Sequence, residues 1–204
     1  MRLAMAVTAV LIVGGLASGA ERPFKNLLTN PGFEAPGGVD GKNRGIALHW
    51  QNTDGEWHPG WYDLDDNVRH SGKASQRMAY IRGVSDPFGS VWQFTPEGSV
   101  TPGRWYRASV WCRTQGIVDR WGWLRLTVRF MKPGDATAFG EVHAKKIENE
   151  PEDWHQVSVT VRAPPEATRI QFLVCHHTES GIVWFDDAEV VEMARTPVGP
   201  PGAD

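Results

Sequence analysis

Apolar and polar residues alternate with period two along much of the chain, and runs with helical period are nearly absent. Residues 106–113 put Tyr106, Ala108, Val110 and Cys112 on one face and Arg107, Ser109, Trp111 and Arg113 on the other. Residues 124–130 repeat the scheme, with Leu124, Leu126, Val128 and Phe130 inward and Arg125, Thr127 and Arg129 outward. Residues 157–162, 170–176 and 182–191 read the same way, and 74–81 and 91–95 add two further strands. Turn chemistry separates these runs at Thr101-Pro-Gly103, Lys132-Pro-Gly134, Ala163-Pro-Pro165 and Glu179-Ser-Gly181. Short alternating strands between Gly/Pro turns predict an all-β chain, an antiparallel sandwich or barrel whose two layers bury their apolar sides against each other. The N-terminal half is less regular. Residues 35–43 read as a Gly-rich loop, and residues 50–66 as a long loop or short strand with loops, carrying Trp50, Trp57 and Trp61 among acids.

Composition narrows this further. The 204 residues suit one domain, and 41% hydrophobic with 22% charged residues is a soluble globular balance. A formal net charge of −3 argues against a general nucleic-acid binder, which needs a basic stripe. Arg2, an apolar run over 3–16 and the small residues Ala17-Ser-Gly-Ala20 form a secretory leader over 1–20, too short for a comfortable membrane span and followed by no Cys for lipidation. The reading is therefore a leader (1–20), one sandwich domain (21–194) and a Pro/Gly-rich disordered tail (195–204). The mature protein is expected to be a monomer, off the membrane, and secreted, periplasmic or at the cell surface. In such a compartment Cys112 and Cys175 are either bridged or two buried thiols.

Two turns and one strand carry acids in unusual places. Asn30-Pro-Gly-Phe-Glu34 projects a carboxylate past a tight bend, Ser71-Gly-Lys73 is a second tight turn, and Asp186-Asp187 interrupts an otherwise apolar strand. A buried carboxylate must be paired, hydrogen-bonded or metal-bound. Turn carbonyls with two carboxylates make an all-oxygen set suited to Ca²⁺, whereas the plainer alternative has one of the aspartates accepting from the turn amides.

Five segments in order carry a family resemblance: Asn26-Leu-Leu-Thr-Asn-Pro-Gly-Phe-Glu34, His70-Ser-Gly-Lys-Ala-Ser75, Pro102-Gly-Arg-Trp-Tyr-Arg-Ala-Ser-Val-Trp111, Trp154-His-Gln-Val-Ser-Val-Thr-Val161 and Trp184-Phe-Asp-Asp-Ala-Glu-Val190. Together, over about residues 26–192, they resemble carbohydrate-binding modules of the family 4/9 type, jelly rolls of the galactose-binding-domain-like kind. The resemblance implies a non-catalytic domain that binds polysaccharide or oligosaccharide. It also implies one structural calcium held by the carbonyl of Gly32, the side chain of Glu34, carbonyls near His70 and Lys73, and Asp187 in preference to Asp186. In members that use the sheet cleft, an aromatic precedes the Pro-Gly turn and polar residues stand on a central and the penultimate strand. The matching positions here are Trp92 or Gln93, then Arg125 and Arg129, then Gln171 and His177.

Ten Trp against three Tyr make indole the first residue type to consider for ligand contact, because its apolar face stacks on sugar C–H groups while its N–H donates. Trp111, Trp121 and Trp123 flank or occupy the outward face of the central strands, whereas Trp105, Trp154 and Trp184 read as packing residues. Trp50, Trp57 and Trp61, with Asn52, Asp54, Glu56, His58, Asp63 and Asp65 among or beyond them, form either an end-on sugar pocket or a loop folded over the sandwich edge with its Trp tucked in. The candidate ligand-binding set is thus Trp57, Trp61, Trp92, Trp111, Trp123, Arg125, Arg129, Gln171 and His177. Adjacent His176 and His177 point to opposite faces and make a poor zinc pair. No nucleophile elbow or phosphate loop is present. The alternatives to a binding domain are a small jelly-roll glycoside hydrolase or lyase, which needs converging acids or a Tyr/Lys/Arg set, and a structural or adhesion sandwich at the cell surface.

Overall fold

Period-two alternation becomes two stacked sheets in the computed structural model, which describes residues 24–37, 44–52, 62–80, 88–118, 124–147 and 153–194. Among these residues the strands are β1 (Gln51–Asn52), β2 (Tyr62–Asp65), β3 (Ser75–Tyr80), β4 (Phe88–Phe94), β5 (Trp105–Val118), β6 (Arg125–Met131), β7 (Ala138–His143), β8 (His155–Arg162), β9 (Arg169–His177) and β10 (Ser180–Glu192). The first sheet has the order β1-β4-β9-β6-β7 and the second β2-β3-β10-β5-β8, with antiparallel pairing throughout both. The chain is thus an all-β antiparallel sandwich. The leader and tail proposed for 1–20 and 195–204 lie outside the described residues.

Between the layers lies one apolar filling. The first sheet contributes Val91, Leu126, Val128, Ile170, Phe172 and Val174, and the second Met78, Tyr106, Ala108, Val110, Val183, Phe185 and Val190. Each of these alternates with a residue facing away, so the core fixes the register of every central strand: a one-residue slip would expose the whole set.

Three expectations change here. Trp50 belongs to the core and not to a loop surface: it is 2% exposed, its ring packs 4.6 Å from Phe33 and 5.8 Å from Phe172, and its indole N–H donates to the Asn30 carbonyl at 3.0 Å. Residues 138–143 form an edge strand that alternation did not reveal, because that strand is mostly exposed. Cys112 and Cys175 are both buried free thiols, one in the core on β5, the other on β9 facing away from it, so no bridge links them.

Candidate functional site

The outer face of the first sheet collects the polar and aromatic residues that the core rejects. Strand pairing sets them in rows across the sheet. One row runs Phe94, Gln171, Arg129, Glu141; the next runs Gln51, Trp92, Leu173, Thr127, His143; a third runs Ser90, Cys175, Arg125. Ser90, Thr127, Leu173, Cys175 and Gln171 point away from the core, yet none is more than 8% exposed. This face is therefore recessed, and these residues are its floor.

Aromatics stand at one side of the recess. Trp92 and Phe94 meet edge-to-face with centroids 5.0 Å apart, and the Arg169 guanidinium lies 4.2 Å over the Phe94 ring. Arg169 is itself tied down, with its Nε 3.3 Å from Glu97 and an N–H donating to the Asp135 carbonyl at 2.8 Å. Its Nε makes no hydrogen bond, so the Asp135 carbonyl and the Glu97 charge are what hold the cation over that ring. The Trp92 indole N–H has no hydrogen-bond partner among the described residues.

At the other side is a charged network. Glu141 on β7 pairs with Arg129 Nε on β6 and with His143 Nε2 at 3.0 Å, and His143 Nδ1 is 3.0 Å from the Thr127 hydroxyl. With Nε2–H donating to Glu141, Nδ1 accepts from Thr127, and the imidazole is oriented from both ends. Between the two sides lies Gln171. Its side chain is 92% removed from solvent and hydrogen-bonds to nothing among the described residues. Its amide atoms are not sealed from solvent, so they stay open to a ligand hydroxyl. On the floor, burial pushes the Cys175 thiol up to about 11, against an opposing hydrogen-bond contact with Thr127, so this sulfur is a neutral surface.

The turn acids converge on the opposite layer. Asp186 is fully buried, and its carboxylate accepts from the amides of His70 (2.8 Å), Ser71 (3.1 Å) and Asp187 (2.7 Å). Burial raises its pKa to about 6; the Ser71 and His70 amides oppose the rise and the neighbouring Asp187 charge adds to it. A bulge in β10 after Asp186 turns Asp187 (φ 46°) toward the two turns, where its carboxylate meets His70 Nδ1 at 2.7 Å and the Ser71 hydroxyl at 2.9 Å. Glu34 accepts from the Lys73 amide at 2.6 Å. Gly32 lies between the acids: a Cβ there would be 3.3 Å from Glu34 and 3.5 Å from Asp187. Gly72 (φ 58°) lets Glu34 approach so closely that a Cβ would sit 1.7 Å from Oε1. Asn30 and Phe33, with φ of 50° and 54°, hold the first turn in the same left-handed region. Backbone strain concentrated around two carboxylates is a mark of a built site.

The structure therefore brings Gly32, Glu34, His70, Lys73 and Asp187 together. His70 and Lys73 meet the acids through the imidazole and the backbone N–H. Asp186 accepts from backbone amides, whereas Asp187 meets the His70 ring and the Ser71 hydroxyl. A separate grouping unites Trp92, Arg125, Arg129 and Gln171 on the recessed face, with His177 one pair further along β9. Core-facing Val91 settles the register in favour of Trp92; Gln93 instead ties Thr29 and His49 through its amide. Trp111 does not join that face. It lies on β5 in the other sheet, its ring stacked 4.0 Å from His70, with Trp154 5.7 Å from the same imidazole. Trp57, Trp61 and Trp123 lie outside the described residues. Sequence reasoning missed Phe94, Glu141 and His143. Phe94 was legible as two residues beyond Trp92 on one strand, whereas the two β7 residues become neighbours only through the pairing of that edge strand.

No protein-family model matches the sequence, and no curated protein matches it. Solved structures do match by fold. The enzymatically active domain of bacteriophage CBA120 tailspike protein 4 aligns with a TM-score of 0.60 at 12% identity, over 82% of this chain and 21% of that one. This chain thus spans about a fifth of the tailspike chain. The Stig cyclase Fisc from Fischerella sp. TAU aligns at 0.58 and 13% identity over 81% and 96% of the two chains, and the CBM22-1 xylan-binding domain of Paenibacillus barcinonensis Xyn10C at 0.53 and 13% over 85% and 97%. The fold is thus one shared by carbohydrate-binding modules and by enzymes, and at these identities the likeness concerns fold alone.

Proposed function

We propose that this chain is an exported, non-catalytic glycan-binding domain of the family 4/9 type, with the recessed face of the first sheet as its binding surface. The observation that carries the reading is the amide of Gln171, without a partner among the described residues and open to a ligand between the Trp92–Phe94 pair and the Arg129–Glu141–His143 network. A pyranose lying across the rows stacks its C–H face on Trp92, and its hydroxyls reach Gln171, the Trp92 N–H and the planar groups beyond. Affinity for a free oligosaccharide is modest, because sugar–water hydrogen bonds are exchanged for sugar–protein ones and the ligand is ordered. A glycosidase needs two carboxyls across its cleft, and among the described residues the strands place only Glu141 on this face.

The carboxylate cluster supports a structural calcium. Glu34 and Asp187 flank Gly32, and two carboxylates are the hard-oxygen kind of ligand that calcium takes, although the turns meet these acids through the Lys73 N–H, the Ser71 hydroxyl and the His70 ring. Glu34, Asp187 and the Gly32 carbonyl would hold the ion, and its charge would fix the two turns against β10. A chelator is expected to lower the melting temperature and added calcium to restore it, since the ion binds only the folded chain. An unchanged melting curve refutes the site.

Affinity electrophoresis through gels of soluble polysaccharides tests the binding face. Trp92→Ala and Gln171→Ala are expected to weaken retention about tenfold, the scale of one lost stacking or buried polar contact. Trp111→Ala, on the other layer, is expected to leave retention intact, with far-ultraviolet circular dichroism confirming the fold of all three. Loss in Trp111→Ala with retention in Trp92→Ala overturns the choice of face. Absence of wild-type retention on every polysaccharide overturns the function.

A further inference from the structure

The recessed face is charged in a way that neutral sugars do not require. Strand register places Arg125, Arg129 and Arg169 on it, together with His143 and His177, and, among the described strand residues, one acid, Glu141. Glu97 at the rim is held by Arg169. The chain as a whole carries −3, so this cationic excess runs against the sign of the protein. The face also demonstrates how it holds a carboxylate: Glu141 sits on Arg129 Nε and His143 Nε2. That pairing engages only one edge of the guanidinium. The remaining N–H groups of Arg129 have no partner among the described residues, and Gln171, its direct cross-strand neighbour, has none either. Directly opposed residues have Cβ atoms about 5 Å apart, so one carboxylate can accept from both. Arg125 lies four residues away on the same strand, about 13 Å along it, and extends the cationic track toward His177.

Resting on the glycan-binding reading above, we propose that this face selects acidic polysaccharides, with a uronic acid carboxylate seated between Arg129 and Gln171 while the sugar ring stacks on the Trp92 side. Glu141 then tunes the site from behind: it orients Arg129 and at the same time competes with the ligand for its charge.

The test compares polygalacturonate and alginate with the same polymers after carboxyl reduction, and with neutral xylan, galactan and β-glucan, in affinity gels. Wild type is expected to bind a polyuronate at least tenfold more tightly than its reduced counterpart. That preference should collapse in 0.5 M sodium chloride, where the screening length is about 4 Å. Arg129→Gln is expected to weaken polyuronate binding about tenfold, and Arg125→Gln, which leaves the Glu141 network in place, to weaken it several-fold. Glu141→Gln is the discriminating variant: removing the competing carboxylate should tighten polyuronate binding several-fold. Equal or tighter binding to reduced or neutral polymers, or weaker polyuronate binding by Glu141→Gln, overturns the acidic preference while leaving glycan binding standing. Retention on no polymer of either kind overturns both.

Discussion

Gly72→Ala is the sharpest single perturbation of the carboxylate cluster. The native φ of 58° is left-handed, and an L side chain there costs about 1–2 kcal/mol. The added Cβ would also stand 1.7 Å from Glu34 Oε1, so the Glu34 carboxylate must leave its 2.6 Å hydrogen bond from the Lys73 amide. A hydrogen bond to a charged group is worth about 1.5–3 kcal/mol, and Glu34 is exposed, so water recovers much of it and about 1 kcal/mol remains. The sum is about 2–3 kcal/mol, or a fall in melting temperature of roughly 4–12 °C for a domain of this size. Thermal melts followed by circular dichroism, in chelator to keep metal out of the comparison, measure it. A double-mutant cycle isolates the clash. In a Glu34→Ala background the clash has no partner, so Gly72→Ala should cost only its backbone strain, and the cycle should show about 1 kcal/mol of coupling. The same cost in both backgrounds refutes the idea that Gly72 exists to admit Glu34.

Two further outcomes follow from titratable groups. Burial raises the pKa of Asp65, but hydrogen bonds from the Trp184 indole (2.9 Å) and the amides of Asn67 and Val68 outweigh it, and the native value lies below the ordinary 3.8. A depressed native pKa gives stability that is present above 3.8 and lost as pH falls through the lower native value. Asp65→Asn should therefore be about 1 kcal/mol less stable than wild type at neutral pH and show a shallower acid decline; parallel acid denaturation curves refute this. With its pKa pushed up to about 11, Cys175 has about a hundredfold smaller thiolate fraction at pH 8 than a thiol at the ordinary 9.0. Alkylation at that residue should be correspondingly slow in the native protein, and a thiol titration in denaturant should count two free groups; a native rate equal to the denatured one counts against burial of that sulfur.

The central strands were legible because their two sides differ sharply in polarity, as in Leu126, Val128 and Phe130 against Arg125, Thr127 and Arg129. Residues 138–143 were not, because an edge strand with both sides in water carries no alternation to read. Recession of the outer face was equally hidden: Leu173 and Cys175 between Gln171 and His177 blur the inside–outside contrast, and only the pairing of Val91 with Val174 decides that Trp92, and not Gln93, looks outward. The acids at 34, 186 and 187 stood out as charges in places that solvent does not explain. That Asp186 is consumed by backbone amides while Asp187 turns to the His70 ring and the Ser71 hydroxyl depends on one bulge in β10, which local sequence does not encode. Trp111 shows the converse: alternation places it outward on its strand, but only the topology assigns that strand to the second layer.

The recessed face belongs to the first sheet, whereas Asp186 and Asp187 stand on β10 of the second. Their chemistries are therefore modular. Positions 92, 94, 129, 141 and 171 can be randomised as a set to seek new saccharide preferences while the fastening at residues 30–34, 70–73 and 186–187 is left untouched. Drift at the surface that meets the ligand carries little penalty for the scaffold, which gives one physical reason why a single sandwich serves so many unrelated recognition tasks.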